Sequence, residues 1–310
     1  MRLLTVRHNT VYRYSEPVTF GEHRMMFRPR ESHDLRLLDT NLEIWPSPSD
    51  LRWHHDVFDN SVAIADFDRA ARELRFESTV TLEHRESPLP DYALEIAART
   101  HPFAYPDDER PDLVGALARR YPCDDIGGWT GRFLDPSGST PTMTLLHSMT
   151  RGIKEEFAYV RRNEKGVQTP SETLRSRSGS CRDFAVLMME ALRSLGIAAR
   201  FVSGYIFGPD TAPGAHTAGG ATHGWMQAYL PGAGWVDVDP TNSIVGNRNL
   251  IRVAVAWDQR NALPLWGTFT GSASCVSTMD VDVTIGELRG AERDGRRIEC
   301  GHATPVRQQA

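Results

Sequence analysis

The stretch from Ser178 to Leu195, SGSCRDFAVLMMEALRSL, decides the fold. Phe184, Leu187, Met188, Ala191, Leu192 and Leu195 recur at the spacing of one helical face. Gly196 follows as a C-cap residue. The helix needs that face in order to pack. It does not need Cys181 at its beginning. The first turn of a helix carries unsatisfied N–H groups and partial positive charge, and both favour a thiolate. A cysteine in that place reads either as a small buried residue or as a nucleophile. The residues that follow decide between the two.

After the helix the period changes. Ala199 to Phe207 reads as a strand, and Asp210 to Ala221 is a loop rich in Gly, Ala and Thr. His223 to Leu230 and Trp235 to Val238 are strands joined by Pro231-Gly232-Ala233-Gly234, a hairpin signal. His223 opens one strand and Asp239 ends the next, just before Pro240. Cysteine, histidine and a carboxylate form the basic set for thiol acyl transfer. Counted from the turn, His223 and Asp239 are offset by roughly two to three residues, so a bulge or side-chain reach must close the gap. Asp237 shares a face with Asp239 and competes with it. Asp239, at the strand end, is favoured. Asp183, near the third position of the helix, is expected to satisfy amide donors and complement the dipole.

Upstream, residues 1–85 are β-rich. Thr10 to Tyr14, His23 to Phe27, Leu35 to Ile44, Ser61 to Phe67 and Leu74 to Leu82 are the strand candidates. The adjacent His54-His55 would face opposite sides of a strand and make a poor ligand pair. Residues 86–139 read as a linker and helices, including a short helix within Tyr92 to Arg99 and a longer one over Asp112 to Tyr121, ended by Pro122. A helix from Thr140, with Pro141 at its first position, carries Leu145, Leu146, Met149, Ile153 and Phe157 on one face. Thr169-Pro170-Ser171-Glu172 has the form of a capping box. Ile251 to Ala256 and Cys275 to Ile285 are further strands, and residues 291–310 form a polar tail. The fold class is α+β: an N-terminal β-sandwich-like domain over 1–85, then a core over 140–290 in which the cysteine-bearing helix packs on an antiparallel sheet.

The net charge of −5 argues against nucleic-acid binding. No apolar run approaches the ~20 residues of a membrane span. The opening MRLLTVRHNTVYRY lacks a secretory h-region, so a cytoplasmic setting is expected. Cys123, Cys181, Cys275 and Cys300 are widely and irregularly spaced, which favours free thiols over disulfides or a zinc site. No loop of spaced carboxylates suggests calcium, so neither metal nor cofactor is expected, and activity should survive chelation.

The runs GSCRDFA, GYIFGPD, THGWMQAYLPGAGWVDVDPTN, IRVAVAWDQ and WGTFTG resemble bacterial members of the transglutaminase-like superfamily. The runs RHNTVYRYSEPV, HRMMFRPR and DVFDNSV resemble the β-rich domain that precedes the core in many of those members. The resemblance implies a papain-like core with Cys181 as nucleophile, His223 as base, Asp239 as orienting acid, and Trp225 packed beside them. The chain departs from the family pattern at Gly224, Ser180, Ala256 and Trp257. These bear on pocket shape and leave the Cys-His-Asp set intact. An oxyanion site needs at least two donors. The N–H of Cys181 is one, and Tyr159 and Gln168 are the candidates for the second. Tyr159 reads equally as a core tyrosine.

The leading expectation is therefore a thiol enzyme acting on amide or peptide carbonyls of a peptide or protein substrate through a thioester. If an amine resolves the thioester it is a transglutaminase, and if water does it is a peptidase or amidase. The alternative is a non-catalytic binding or scaffolding module that keeps the fold. The N-terminal domain is expected to limit access to the site or to hold a partner protein.

Overall fold

The computed structural model describes residues 1–85, 93–162, 166–208 and 222–288. The loop read at 210–221 and the tail 291–310, with Cys300, lie outside the described residues.

The chain opens on β1 (Arg2–Met25), followed by β2 (Leu35–Trp45), β3 (Asp50–His55), β4 (Ser61–Asp66) and β5 (Ala70–His84). The two strands expected at Thr10–Tyr14 and His23–Phe27 are one strand of 24 residues. Register shifts between Arg13 and Val18 and between Phe20 and His23 bend it, so that it serves two parts of one sheet. Strand β3 has no counterpart in the sequence reading. All six of its residues are exposed, so it carries no burial alternation to read.

Next come β6 (Thr100–His101), α1 (Arg110–Leu117), α2 (Gly127–Gly131), β7 (Thr140–Pro141), α3 (Thr142–Glu156), β8 (Ala158–Tyr159), α4 (Pro170–Ser176), β9 (Ser178–Gly179) and α5 (Cys181–Ser194). Within the expected Tyr92–Arg99 helix only a single 3-10 turn, Ile96–Ala98, is present. Helix α1 stops short of Pro122. The N–H groups of Arg120 and Tyr121 donate instead to the buried Glu190 carboxylate on α5. Pro141 caps α3 rather than occupying its first position. The Thr169–Glu172 capping box forms as read, and Gly196 follows α5 with a φ of +77°.

The core sheet is antiparallel in the order β13 (Ile244–Val245), β12 (Gly234–Asp239), β11 (His223–Leu230), β10 (Ala199–Ile206), β14 (Leu250–Ala256). Helix α5 packs across β10 and β11. Phe184, Leu187, Met188, Ala191 and Leu192 meet Met226, Ala228, Val236 and Val238 in one buried cluster with α3. The heptad-like face of α5 is thus spent on fixing the helix, and its N-terminus is fixed with it.

The last two strands, β15 (Leu265–Thr270) and β16 (Ser277–Glu287), leave the core. Both pair antiparallel with β1, β16 from Leu4 to Tyr14 and β15 from Thr19 to Met25. Residues 265–287, expected within the 140–290 core, therefore complete a seven-stranded N-terminal sheet. The reason is the length of β1, whose second edge no other strand of the first 85 residues covers along Leu4–Tyr14. The sheet curls, and Tyr14, Val18, Phe20 and Met25 from the second half of β1 share one core with Leu74, Phe76, Ala63 and Ala65.

The N-terminal sheet docks on the core through a further apolar cluster. In it Leu4, Val6, Val80 and Leu82 meet Tyr205, Ile251 and Val253. Asn60, fully buried, adds a polar lock. Its side-chain amide donates to the Val255 carbonyl and accepts from the Val255 N–H, each at 2.8 Å, as a neighbouring strand would. Arg30 holds the same turn by donating to the Phe58 and Asp59 carbonyls and to Asn60 Oδ1. This gives the HRMMFRPR and DVFDNSV motifs a physical role. Asn60→Ala would strand both backbone groups of Val255, and we expect a loss of about 1–3 kcal/mol of stability. Denaturant unfolding measures it, and an unchanged midpoint would show that the lock is idle.

Candidate active site

Cys181 sits at the first position of α5 and is 7% exposed. The chain enters this helix tightly. A Cβ on Gly179 would lie 2.9 Å from the Asp183 Cβ, so the glycine is sterically required. Asp183 is fully buried and takes four donors: the Ser180 N–H and hydroxyl, Arg162 Nη1 and the Gln168 N–H. It locks the cysteine loop to the helix, in line with the anchoring role read for it.

On the sheet, Gln227 pairs directly with Asp237, so their side chains share a face. Alternation puts His223 and Trp225 on that face of β11 and Asp239 on that face of β12. The register runs unshifted from Met226 to Leu230. Continued, it sets Trp225 opposite Asp239 and His223 two residues beyond, so side-chain reach rather than a bulge closes the offset. His223 Nε2 lies 2.8 Å from Asp239 Oδ2. Both groups are buried.

The other carboxylate oxygen of Asp239 accepts from the Thr241 N–H at 2.9 Å, and Asn242 Nδ2 donates to Oδ2 at 2.7 Å. With Nε2 committed to Asp239, Nδ1 is the ring nitrogen left for the thiol. It makes no hydrogen bond of ordinary geometry. Electrostatically the thiol and the ring are nonetheless a pair. Burial pushes the Cys181 pKa up, but His223, the Gly224 N–H and the Arg182 charge outweigh it and hold the thiol below its ordinary value. Burial pulls the His223 pKa down, but the Asp239 charge and hydrogen bond, with the Cys181 contribution, raise it well above its ordinary value. Asp239 is held low, against burial, chiefly by His223. The arrangement favours thiolate and imidazolium together.

Trp225 is fully buried and lies nearly parallel to His223, with ring centroids 5.7 Å apart and planes 22° apart. Gly204 makes room for it. A Cβ there would fall 2.8 Å from Trp225 Cη2 and 2.1 Å from the Ile251 carbonyl oxygen. Asp237 does not reach His223. Its carboxylate accepts from Trp225 Nε1, Gln227 Nε2 and Arg252 Nη1. Of the two aspartates, Asp239 bonds the imidazole and Asp237 the indole.

Tyr159 sits in β8, which pairs with β9 so that Tyr159 lies beside Gly179, two residues before the thiol. Its pKa is pushed up to about 12 by burial and then by the Cys181 charge, so its hydroxyl stays a donor. Gln168 is engaged elsewhere. Its carboxamide oxygen accepts from Thr173 Oγ1 at 3.1 Å, and its N–H braces Asp183. The sequence reading missed Asn242 and Gly204. Asn242 was legible in principle, since Asp239-Pro240-Thr241-Asn242 is the composition of an Asx turn.

The departures from the family pattern are accommodated locally. A Cβ on Gly224 would come within 2.9 Å of the Phe201 ring and 3.2 Å of Arg182 Cγ. Trp257 packs edge-on against Phe58 and beside Trp235, over Gly115, where a Cβ would meet the indole at 2.5 Å. Cys123, Cys181 and Cys275 are free thiols. Among the described residues no group of three or more His, Cys, Asp or Glu could hold a metal ion. Among the same residues no helix is long and apolar enough to cross a membrane.

Comparison with known proteins agrees with this architecture. Residues 4–83 match the bacterial transglutaminase-like N-terminal region, and residues 136–240 match the transglutaminase-like superfamily core. An uncharacterized protein of Mycobacterium tuberculosis is 30% identical over 292 residues, 90% of this chain and 91% of that one. The chain belongs to the transglutaminase-like superfamily, as a member with the bacterial N-terminal region ahead of the core. Among solved structures, a Cytophaga hutchinsonii protein described as a candidate cysteine protease shares the fold. Its TM-score is 0.66 at 17% identity, covering 94% of this chain and 92% of that one. A Pseudomonas aeruginosa protein-glutamine gamma-glutamyltransferase is 36% identical over 75 residues, 24% of this chain and 11% of that enzyme.

Proposed function

We propose that the protein is a thiol-dependent acyl-transfer enzyme acting on amide or peptide carbonyls, with Cys181 as nucleophile, His223 as general base and acid, and Asp239 as the orienting carboxylate. The observation that carries this is the single imidazole bonded to Asp239 on one side and paired electrostatically with the helix-terminal thiol on the other.

The steps balance without an added cofactor. The Cys181 thiolate attacks the carbonyl carbon, and the negative oxygen is met by the Cys181 N–H and the Tyr159 hydroxyl. The C–N bond breaks as the imidazolium gives its Nδ1 proton to the leaving amine. Water or an amine then attacks the thioester and passes a proton to Nδ1, and the thiolate leaves. Trp225 shields the His223–Asp239 bond from water, which strengthens the attraction that holds the imidazole in its tautomer. A peptide or protein donor is the substrate class. The likeness to the candidate protease supports the hydrolytic outcome through the fold alone, and the local likeness to the glutamyltransferase supports the amine outcome.

Iodoacetamide labelling, resolved by residue with mass spectrometry, tests this reading against a silent scaffold. Cys181 is expected to react well below the ordinary thiol pH range and faster than Cys123, which is exposed. Access alone predicts the reverse order, so only ionisation can produce this one. Slow reaction of Cys181 at every pH would sink the proposal. Incubation with glutamine-containing and peptide donors, with and without an added primary amine, then separates hydrolysis from transfer by the product formed.

A further inference from the structure

A largely buried ionic chain runs from the N-terminal unit to the base. Asp34 lies just before β2 and is 6% exposed. It accepts from Arg252 on β14 and from Asn247 Nδ2 at 2.8 Å. The Arg252 Nη2 that reaches Asp34 also donates to Ser32 Oγ at 3.0 Å. From its other terminal nitrogen, Arg252 donates to Asp237 Oδ2 at 2.9 Å. The remaining Asp237 oxygen accepts from Trp225 Nε1 at 2.7 Å and from Gln227 Nε2 at 3.0 Å. Trp225 lies flat against His223. Every link from Asp34 to the indole is a charge-assisted hydrogen bond, and the last step is a ring contact.

We infer that the N-terminal sheet is a working part of the thiol site, in which Asp34, Arg252 and Asp237 act as positioning residues that fix Trp225 against His223. This rests on the reading of His223 as the base. Packing alone does not call for such a chain. A largely buried Asp–Arg–Asp group carries a desolvation cost that well-packed apolar residues of the same volume avoid. An indole held only by its area could also rock about its side-chain bonds. Anchored through Nε1 on a carboxylate that is itself clamped by Arg252, it cannot. Asp34 supplies the far end of the clamp from 218 residues away in sequence. The N-terminal unit therefore sets the rigidity of the wall behind the imidazole.

The chemical consequence is water exclusion. With Trp225 fixed, the His223–Asp239 pair stays dry and the imidazolium is strongly held, which in turn holds the thiolate. The other ionisable groups that act on the Cys181–His223 pair are Arg182 and Tyr159, besides Asp239. None of them is altered by a change at Asp34.

The test uses the full chain and the pH profile of Cys181 labelling by iodoacetate. That anionic reagent needs the thiolate and is drawn by the imidazolium, so its rate plateaus between the two ionisations. In Asp34→Asn the plateau is expected to narrow from both sides, by about one pH unit in all. Asn60→Ala removes a buried contact between the same two units but lies off the ionic route. It should lower Tm by several degrees and leave the plateau in place. Arg252→Lys, which keeps the charge but loses the two-sided fork, serves as the second variant if Asp34→Asn fails to fold, and it too should narrow the plateau. An unchanged plateau in the ionic variants overturns the inference. So does equal narrowing in Asn60→Ala, which would mean general loosening. If wild-type Cys181 shows no plateau at all, it is the enzymatic reading that fails, and this inference falls with it.

Discussion

Cys181→Ala is expected to abolish thioester formation and leave the fold standing. The change removes one buried sulfur from the first turn of α5, at a cost of about 1 kcal/mol in a helix whose position is fixed by its other face. The Asp183 lock is untouched, because its four donors come from Ser180, Arg162 and Gln168. His223 keeps Asp239 but loses the thiolate, so its pKa should drop part of the way back. Among the described residues no other cysteine can take its place, since Cys123 is on the surface and Cys275 belongs to the N-terminal sheet region. Intact mass after exposure to donor peptides reads the outcome directly. An acyl adduct that persists in the alanine variant would place the nucleophile elsewhere.

Asp239→Asn should lower the acylation rate by about 10³- to 10⁴-fold, the scale seen when a triad carboxylate is amidated. The local geometry explains why a carboxamide fails here. One Asp239 oxygen accepts from the Thr241 N–H, so in the variant the amide oxygen must stay on that side. Its NH₂ then faces Asn242 Nδ2 and His223 Nε2, both of which donate to the aspartate. Donor meets donor. The ring can relieve the conflict only by moving its proton to Nδ1, the nitrogen that must be free to take the thiol proton. Asp237→Asn should cost far less in rate, because it touches His223 only through Trp225. Single-turnover measurement with one donor peptide ranks the two, and a larger loss at Asp237 would overturn the assignment of Asp239.

Much of this site was legible in the sequence, and the reasons are particular. The period of Phe184 to Leu192 survives because one face of α5 does a single job against one sheet. The Cys-His-Asp order survives because the Gly-rich hairpin keeps His223 and Asp239 on paired strands. Other features could not be read. The ionic chain is invisible because Asp34, Arg252 and Asp237 are hundreds of residues apart or belong to unrelated runs, and a lone arginine in a strand looks like surface. Strand β3 is exposed along its whole length, so its short Leu51–Trp53 alternation marks no buried face. Strands β15 and β16 read as core because they follow the core in sequence, although the edge they complete is made at the start. Gln168 was drawn toward the thiol by its place upstream of the cysteine, yet Thr173 and Asp183 claim it.

That pairing of first strand with last has a consequence for how the molecule is made. While the chain is being synthesised, β1 emerges early, and its edge from Leu4 to Tyr14 has no β16 to bond until residue 287 has followed. Contacts so distant in sequence form slowly. An open strand edge in the meantime is an invitation to other chains. Arg7 and Arg13, exposed along this edge, guard the interval by charge. A chain interrupted before Leu265 would carry every residue of the thiol site and still lack the two strands that close its oldest edge.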